Sequence, residues 1–108
     1  MNITDMQKEV DKWITQFEEG YWPPLVILAR LTEEVGELAR EINHRFGEKP
    51  KKPEEPPKDL ALEIADIVFV LLTLANSQGI NLEEAFQATM EKYLVRDGNR
   101  WTLKERQD

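Results

Sequence analysis

The longest apolar run in the chain, Leu60–Ala75 (LALEIADIVFVLLTLA), is broken only by Glu63, Asp66 and Thr73. It lacks period-two alternation and is long for a strand, which predicts a helix apolar around most of its circumference. Such a helix belongs at the centre of a fold. Two carboxylates one turn apart then leave the same side of it, and burying them is costly unless something compensates their charge.

The flanking patterns predict three more helices. From Asn2 to Phe17, apolar residues recur at intervals of three and four: Ile3, Met6, Val10, Trp13, Ile14 and Phe17. Thr4 with Gln7 has the form of a capping box, and Gly20 is placed to end the helix in the left-handed conformation. Tyr21-Trp22-Pro23-Pro24 reads as an extended turn, since a residue before proline is pushed out of the helical region. A second helix runs from Pro24 to His44 or Phe46, with Leu28, Leu31, Val35, Leu38, Ile42 and Phe46 as its core stripe. At about 100° per residue, Glu34 borders that stripe, Glu37 lies further round, and Glu33 further still; Arg30, Glu41 and His44 share the side. Asp59 caps the central helix, which ends near Gly79. Asn81 with Glu84 opens a last helix, Leu82 to Arg96, whose stripe is Leu82, Phe86, Met90, Tyr93 and Leu94.

The expected fold is therefore all-α, one domain over 1–108 with two long and two shorter helices. Segment 47–58 holds Pro50, Pro53, Pro56 and Pro57 and no large apolar residue, so a solvated connection with polyproline character is expected. A lid carrying Lys49, Lys51 and Lys52 is the alternative. A flexible tail, or one used in assembly, is expected for 102–108. A helix apolar on most sides needs more cover than these elements supply, which predicts a bundle completed as a homodimer or homotetramer.

Composition narrows the function. The formal charge of -7 argues against a general nucleic-acid binder, while leaving room for a small phosphorylated ligand bridged by a cation. Leu60–Ala75 is shorter than the ~20 residues of a membrane span and carries two acids near one end, so no membrane partner is expected. No signal-peptide pattern opens the chain, and the absence of cysteine excludes thiolate metal sites and cysteine nucleophiles. A cytoplasmic location is expected.

Glu34 with Glu37, and Glu63 with Asp66, are i, i+3 pairs on two helices. If those helices pack side by side, four carboxylates converge, and oxygen ligands without cysteine or histidine suit Mg²⁺, with Mn²⁺ as a substitute. A solvated acidic face accounts for Glu33, Glu34, Glu37 and Glu41 easily, but it accounts badly for acids that interrupt the central apolar helix. Gly36 costs roughly 1 kcal/mol in a helix interior, which suggests close approach by another group. A di-iron bundle normally shows Glu-x-x-His, and that pattern is missing here. The competing functional class is a non-catalytic helical interaction module with a structural cation site.

EEVGE at 33–37 and EIAD at 63–66 resemble the EExxE…ExxD pattern of MazG-like nucleotide pyrophosphohydrolases, and EKYLVR at 91–96 is similar to their Lys-aromatic-x-x-Arg stretch. The resemblance spans about Pro24 to Arg96. It implies Mg²⁺ held by Glu34, Glu37, Glu63 and Asp66, with Glu33 helping a ligand or orienting water. It also implies Lys92 and Arg96 on the β and γ phosphates, and hydrolysis of a nucleoside triphosphate to monophosphate and pyrophosphate. For the base, the residues leave Trp13, Tyr21, Trp22 and Trp101 as stacking candidates and Asn43, His44 and Asn76 as hydrogen-bonding ones; Trp22, His44 and Asn76 lead.

Overall fold

The computed structural model describes residues 1–47 and 59–105, and these form four helices with no strand among them. They are α1 (Ile3–Thr15), α2 (Pro24–Phe46), α3 (Leu60–Ser77) and α4 (Leu82–Asp97). The all-α expectation holds. The expectations for the proline-rich connection, including its three lysines, and for the last three residues lie outside the described residues.

The helix starts follow the local chemistry, with one correction. The box that opens α1 is made by Asn2 and Asp5, not by Thr4 and Gln7. Asn2 Oδ1 accepts from the Asp5 N–H at 2.8 Å, and the Asp5 carboxylate accepts from the Asn2 N–H at 3.3 Å. The cap must directly precede the first helical residue, and Asn2 is the better acceptor there. Asp59 caps α3 through Ala61 N–H at 2.9 Å, and Asn81 caps α4 through Glu84 N–H at 3.1 Å. Among the described residues, Gly20 and Gly79 carry the only positive φ angles, +61° and +67°, and turn the chain after α1 and α3.

Gln7, released from capping, fastens α1 to the α3–α4 turn. Its Nε2 donates to Asn76 Oδ1 at 2.9 Å and to the Ile80 carbonyl at 2.8 Å. Its Oε1 accepts from the Leu82 N–H at 3.0 Å, and its backbone carbonyl accepts from Asn76 Nδ2 at 2.9 Å. One side chain thus satisfies the amide at the start of α4, a helix-terminal donor without an intrahelical partner.

Packing joins α2 to α3, α1 to α3 and α4 to α1. Here the sequence expectation for α2 is overturned. The face against α3 is centred on Ile27, Glu34 and Glu41, which are 2%, 5% and 4% exposed. The supposed core stripe points elsewhere: Leu28, Val35, Ile42 and Phe46 are 53%, 47%, 42% and 76% exposed. The stripe and the acids are neighbours on the wheel, and the single chain buries the acids. Similarly, α3 buries Val70, Leu72 and Ala75 but leaves Leu62, Ile64, Val68, Phe69 and Leu71 substantially exposed. No residue of α4 is buried, and Phe86, Met90, Tyr93 and Leu94 face outward. By length and composition alone α3 could also cross a membrane, but α1 and α2 pack on it and Glu63 is buried at its N-terminal end.

A Cβ on Gly36 would meet nothing within 4 Å, so no group among the described residues accounts for that glycine.

Replacing Gln7 by leucine removes the partner of the Leu82 amide and the donor to Asn76 Oδ1 and the Ile80 carbonyl. The expected loss is about 1–3 kcal/mol in urea denaturation with an unchanged m-value; a loss below about 0.5 kcal/mol contradicts the role given to Gln7.

Candidate metal and nucleotide site

The α2–α3 contact brings together three of the four acids expected to hold a cation. Oxygens of Glu34, Glu37 and Glu63 lie within 4.8 Å of one another. Glu34 and Glu63 are buried and Glu37 is exposed, so the cluster has a dry floor and an open side. Asp66 stands near enough for its charge to act on Glu34, and both residues line the same cavity. Glu33 is exposed and outside the trio.

Burial pushes the Glu34 carboxyl above its ordinary range; the Arg30 guanidinium opposes this, and the charges of Glu37, Asp66 and Glu63 add to it. Arg30 Nε contacts Glu34 Oε1 at 3.0 Å. Glu34 Oε2 is buried without a hydrogen-bond partner. A buried orphaned carboxylate oxygen on a residue clustered with two more carboxylates is what an oxygen-seeking cation would satisfy. Ligands around one Mg²⁺ lie within about 4.2 Å of each other, twice the usual ~2.1 Å bond. The trio's oxygens lie within a comparable span, and the residues fit the ion. Further along α2, Glu41 is buried with Arg45 Nε at 3.5 Å, the more ordinary way to keep a carboxylate inside.

Beside the cluster lies a cavity of about 420 Å³, within the about 300–1,000 Å³ typical of small-molecule sites. Trp13, Phe17, Tyr21, Trp22 and Phe69 line it, and Arg30, Glu34 and Asp66 form the wall shared with the carboxylates. Trp13 and Phe17 meet edge to face at 5.1 Å. The Tyr21 hydroxyl donates to Asp11 Oδ1 at 2.6 Å, and burial together with that bond pushes its pKa up to about 12. Tyr21 is therefore a neutral, committed donor that fixes the turn into α2. The aromatics at the end of α1 were readable as stacking candidates; their meeting with the acids depends on the Gly20 turn.

The remaining expected residues are dispersed. Asn76 spends its carboxamide on Gln7, and His44 lies outside the cavity lining. Lys92 Nζ and Arg96 Cζ both lie 5.3 Å from the centroid of the Tyr93 ring, and Arg96 Nη2 holds Asp97 at 3.0 Å. They belong to a helix packed on α1, not to the α2–α3 pair that carries the acids.

A family model for the MazG nucleotide pyrophosphohydrolase domain matches residues 23–101, the span that contains both acidic pairs, the α2 and α3 side of the cavity wall, and Lys92 and Arg96. The chain belongs to this family. YpjD of Bacillus subtilis is 59% identical over 103 residues, covering 95% of this chain and 93% of that protein. YvdC of the same organism is 31% identical over 98 residues, covering 82% and 92%. The crystal structure of Bacillus subtilis YpjD superposes with a TM-score of 0.78 at 57% identity, covering 86% of this chain and 95% of that one. A Bacillus-conserved MazG protein, a nucleotide pyrophosphohydrolase, gives 0.77 at 47% identity, covering 90% and 94%. As a MazG protein the chain is a hydrolase of nucleotide phosphoanhydrides.

The raised Glu34 carboxyl sets a pH dependence. In the metal-free protein the native state holds a proton on Glu34 that the unfolded chain releases at lower pH. Stability from this group therefore falls as pH rises from the ordinary carboxylate range through the raised value. Glu34→Gln, unfolded by urea in EDTA, is expected to be more stable than the parent at pH 8, with the advantage vanishing near pH 4. A variant less stable at pH 8 contradicts this reading.

Proposed function

We propose that this MazG protein is a Mg²⁺-dependent, cytoplasmic nucleoside triphosphate pyrophosphohydrolase that releases a monophosphate and pyrophosphate and serves nucleotide-pool house-cleaning. The observation that carries the proposal is the Glu34–Glu37–Glu63 cluster, in which a buried Glu34 oxygen is unpartnered among the described residues, beside an aromatic cavity.

Glu34, Glu37, Glu63 and Asp66 would hold the ion, with Mn²⁺ as a substitute. When bound, Mg²⁺ supplies charge neutralisation at the phosphates and a more acidic water for attack at the α-phosphorus. Glu33, exposed next to the cluster, orients that water and takes its proton. As the new P–O bond forms, the bond to the β-bridging oxygen breaks and pyrophosphate leaves with the displaced electron pair. The aromatic wall, Trp13 and Trp22 foremost, stacks the base and excludes water from the floor of the site.

Pyrophosphate needs cations as it leaves, and α4 carries them on Lys92 and Arg96. A second copy supplies the missing proximity. The outward positions Leu28, Leu31, Val35, Leu38 and Ile42 alternate steps of three and four, the spacing of a helix–helix seam. A homodimer, or a tetramer built from two, covers this seam together with the bare faces of α3 and α4. In that assembly Lys92 and Arg96 serve the acids of the partner. Gly36 gives the incoming copy room for close approach.

Asp66→Asn and Glu37→Gln are expected to lower Mg²⁺-dependent pyrophosphate release from a panel of canonical and modified triphosphates by at least about 10²-fold without loss of folding. Unfolding of both variants, or unchanged turnover, removes the site assignment. Lack of turnover by the parent on every member of the panel favours a non-catalytic helical module. For the shared site, Glu37→Gln and Arg96→Gln chains, each inactive alone, are refolded together. Heterodimers with one intact site should restore about a quarter of the parental activity; no recovery places the cations and acids on the same chain.

A further inference from the structure

We infer that Arg30 reads the nucleobase, and that the site prefers a 6-oxopurine nucleotide, with a guanine- or hypoxanthine-type base, over an adenine nucleotide. The inference rests on the pyrophosphohydrolase reading of the same site and adds the substrate class.

The polar groups of the aromatic cavity limit what it can bind. Two of the hydroxyls on its wall are already committed: Tyr21 donates to Asp11 at 2.6 Å, and Thr73 Oγ1 donates to the Phe69 carbonyl at 2.9 Å. Glu34 and Asp66 belong to the acidic side. Arg30, Glu19 and the indole N–H groups of Trp13 and Trp22 remain. Apart from Glu19 these are donors without acceptor capacity, so the cavity favours a planar ligand that presents acceptors.

Arg30 is the best placed of them. Its Nε lies 3.0 Å from Glu34 Oε1, while Nη1 and Nη2 donate no hydrogen bond among the described residues. A guanidinium anchored through Nε still offers two parallel N–H bonds from its fork. That fork matches the O6 and N7 acceptors that lie side by side on a 6-oxopurine; adenine places its N6 amino donor next to N7 and confronts the fork with a like group. A pyrimidine offers only part of the acceptor edge. Glu19 provides the complementary acceptor for the N–H groups on the opposite edge of guanine. Since Arg30 also holds Glu34, base recognition and the placement of a cation ligand share one side chain.

The test compares kcat/KM for dGTP, dITP and dATP in the parent and in Arg30→Lys, which keeps a positive charge near Glu34 and loses the planar fork. The parent is expected to favour both 6-oxopurine substrates over dATP by roughly 5- to 150-fold, the range for one bidentate contact. In Arg30→Lys that ratio should collapse toward one. A parental ratio at or below one, or a ratio unaffected by the substitution, overturns the inference and leaves the hydrolase reading standing. If no triphosphate is hydrolysed, quenching of tryptophan fluorescence by dGMP and dAMP in EDTA decides the point. Tighter dGMP binding that is lost in Arg30→Lys upholds base reading by Arg30, and equal binding of the two overturns it.

Discussion

The structure depends on carboxylates that α2 and α3 bury against each other. Glu34 and Glu63 lie at the helix contact with Glu37 at its open edge, a concentration of negative charge with little water to screen it. Among the described residues, Arg30 offsets part of that charge, and Glu34 Oε2 is left without a hydrogen-bond partner. Such an arrangement opposes folding, so other contacts must hold the helices in place. Ile27 packs tightly beside the acids, and the bonds of Gln7 and Asn76 tie α1 to the far end of α3. The scaffold is therefore made firm away from the acids, and their unmet demand is available to a ligand.

This division explains which features could be read from the chain alone. Helix positions were legible because caps and breakers act locally: Asp59, Asn81, Gly20 and Gly79 each do what their chemistry suggests. The pairing of Glu34 and Glu37 with Glu63 was legible because acids in an apolar helix require an explanation. The α2 stripe was misread for a physical reason. Periodicity identifies the apolar face of a helix, but it does not say whether that face meets the same chain or another. Here the α2 seam lies about 100° from Glu34, and the chain directs the acids inward. The capping box of α1 was misassigned because Thr4-x-x-Gln7 satisfies the pattern as well as Asn2-x-x-Asp5 does. The tertiary role of Gln7 has no signature in sequence. Nor does the aromatic cavity, which depends on the angle set by the Gly20 turn.

A single chain in this arrangement is an incomplete object. The α2 seam, the outer face of α3 and all of α4 leave apolar surface that a lone domain seldom shows, and Lys92 and Arg96, the proposed phosphate ligands, sit on α4, which packs on α1. In the proposed homodimer both gaps are closed by the same step, pooling helices from two copies. Stability and catalysis then have a common requirement: the protein that buries its seam is the one that completes its site. Gly36, costly within an isolated helix and untouched by the other described residues, gains a reason in that setting.

The central claim is that the buried acids exist to bind a divalent cation. Its most direct test is a crystal of the protein grown with Mn²⁺ and examined by anomalous scattering at the manganese edge. The account expects a strong peak among Glu34, Glu37 and Glu63, within reach of Asp66, with Glu34 Oε2 coordinated. Full-occupancy manganese elsewhere with this cluster empty, or a cluster still closed only by Arg30 at saturating Mn²⁺, would contradict it.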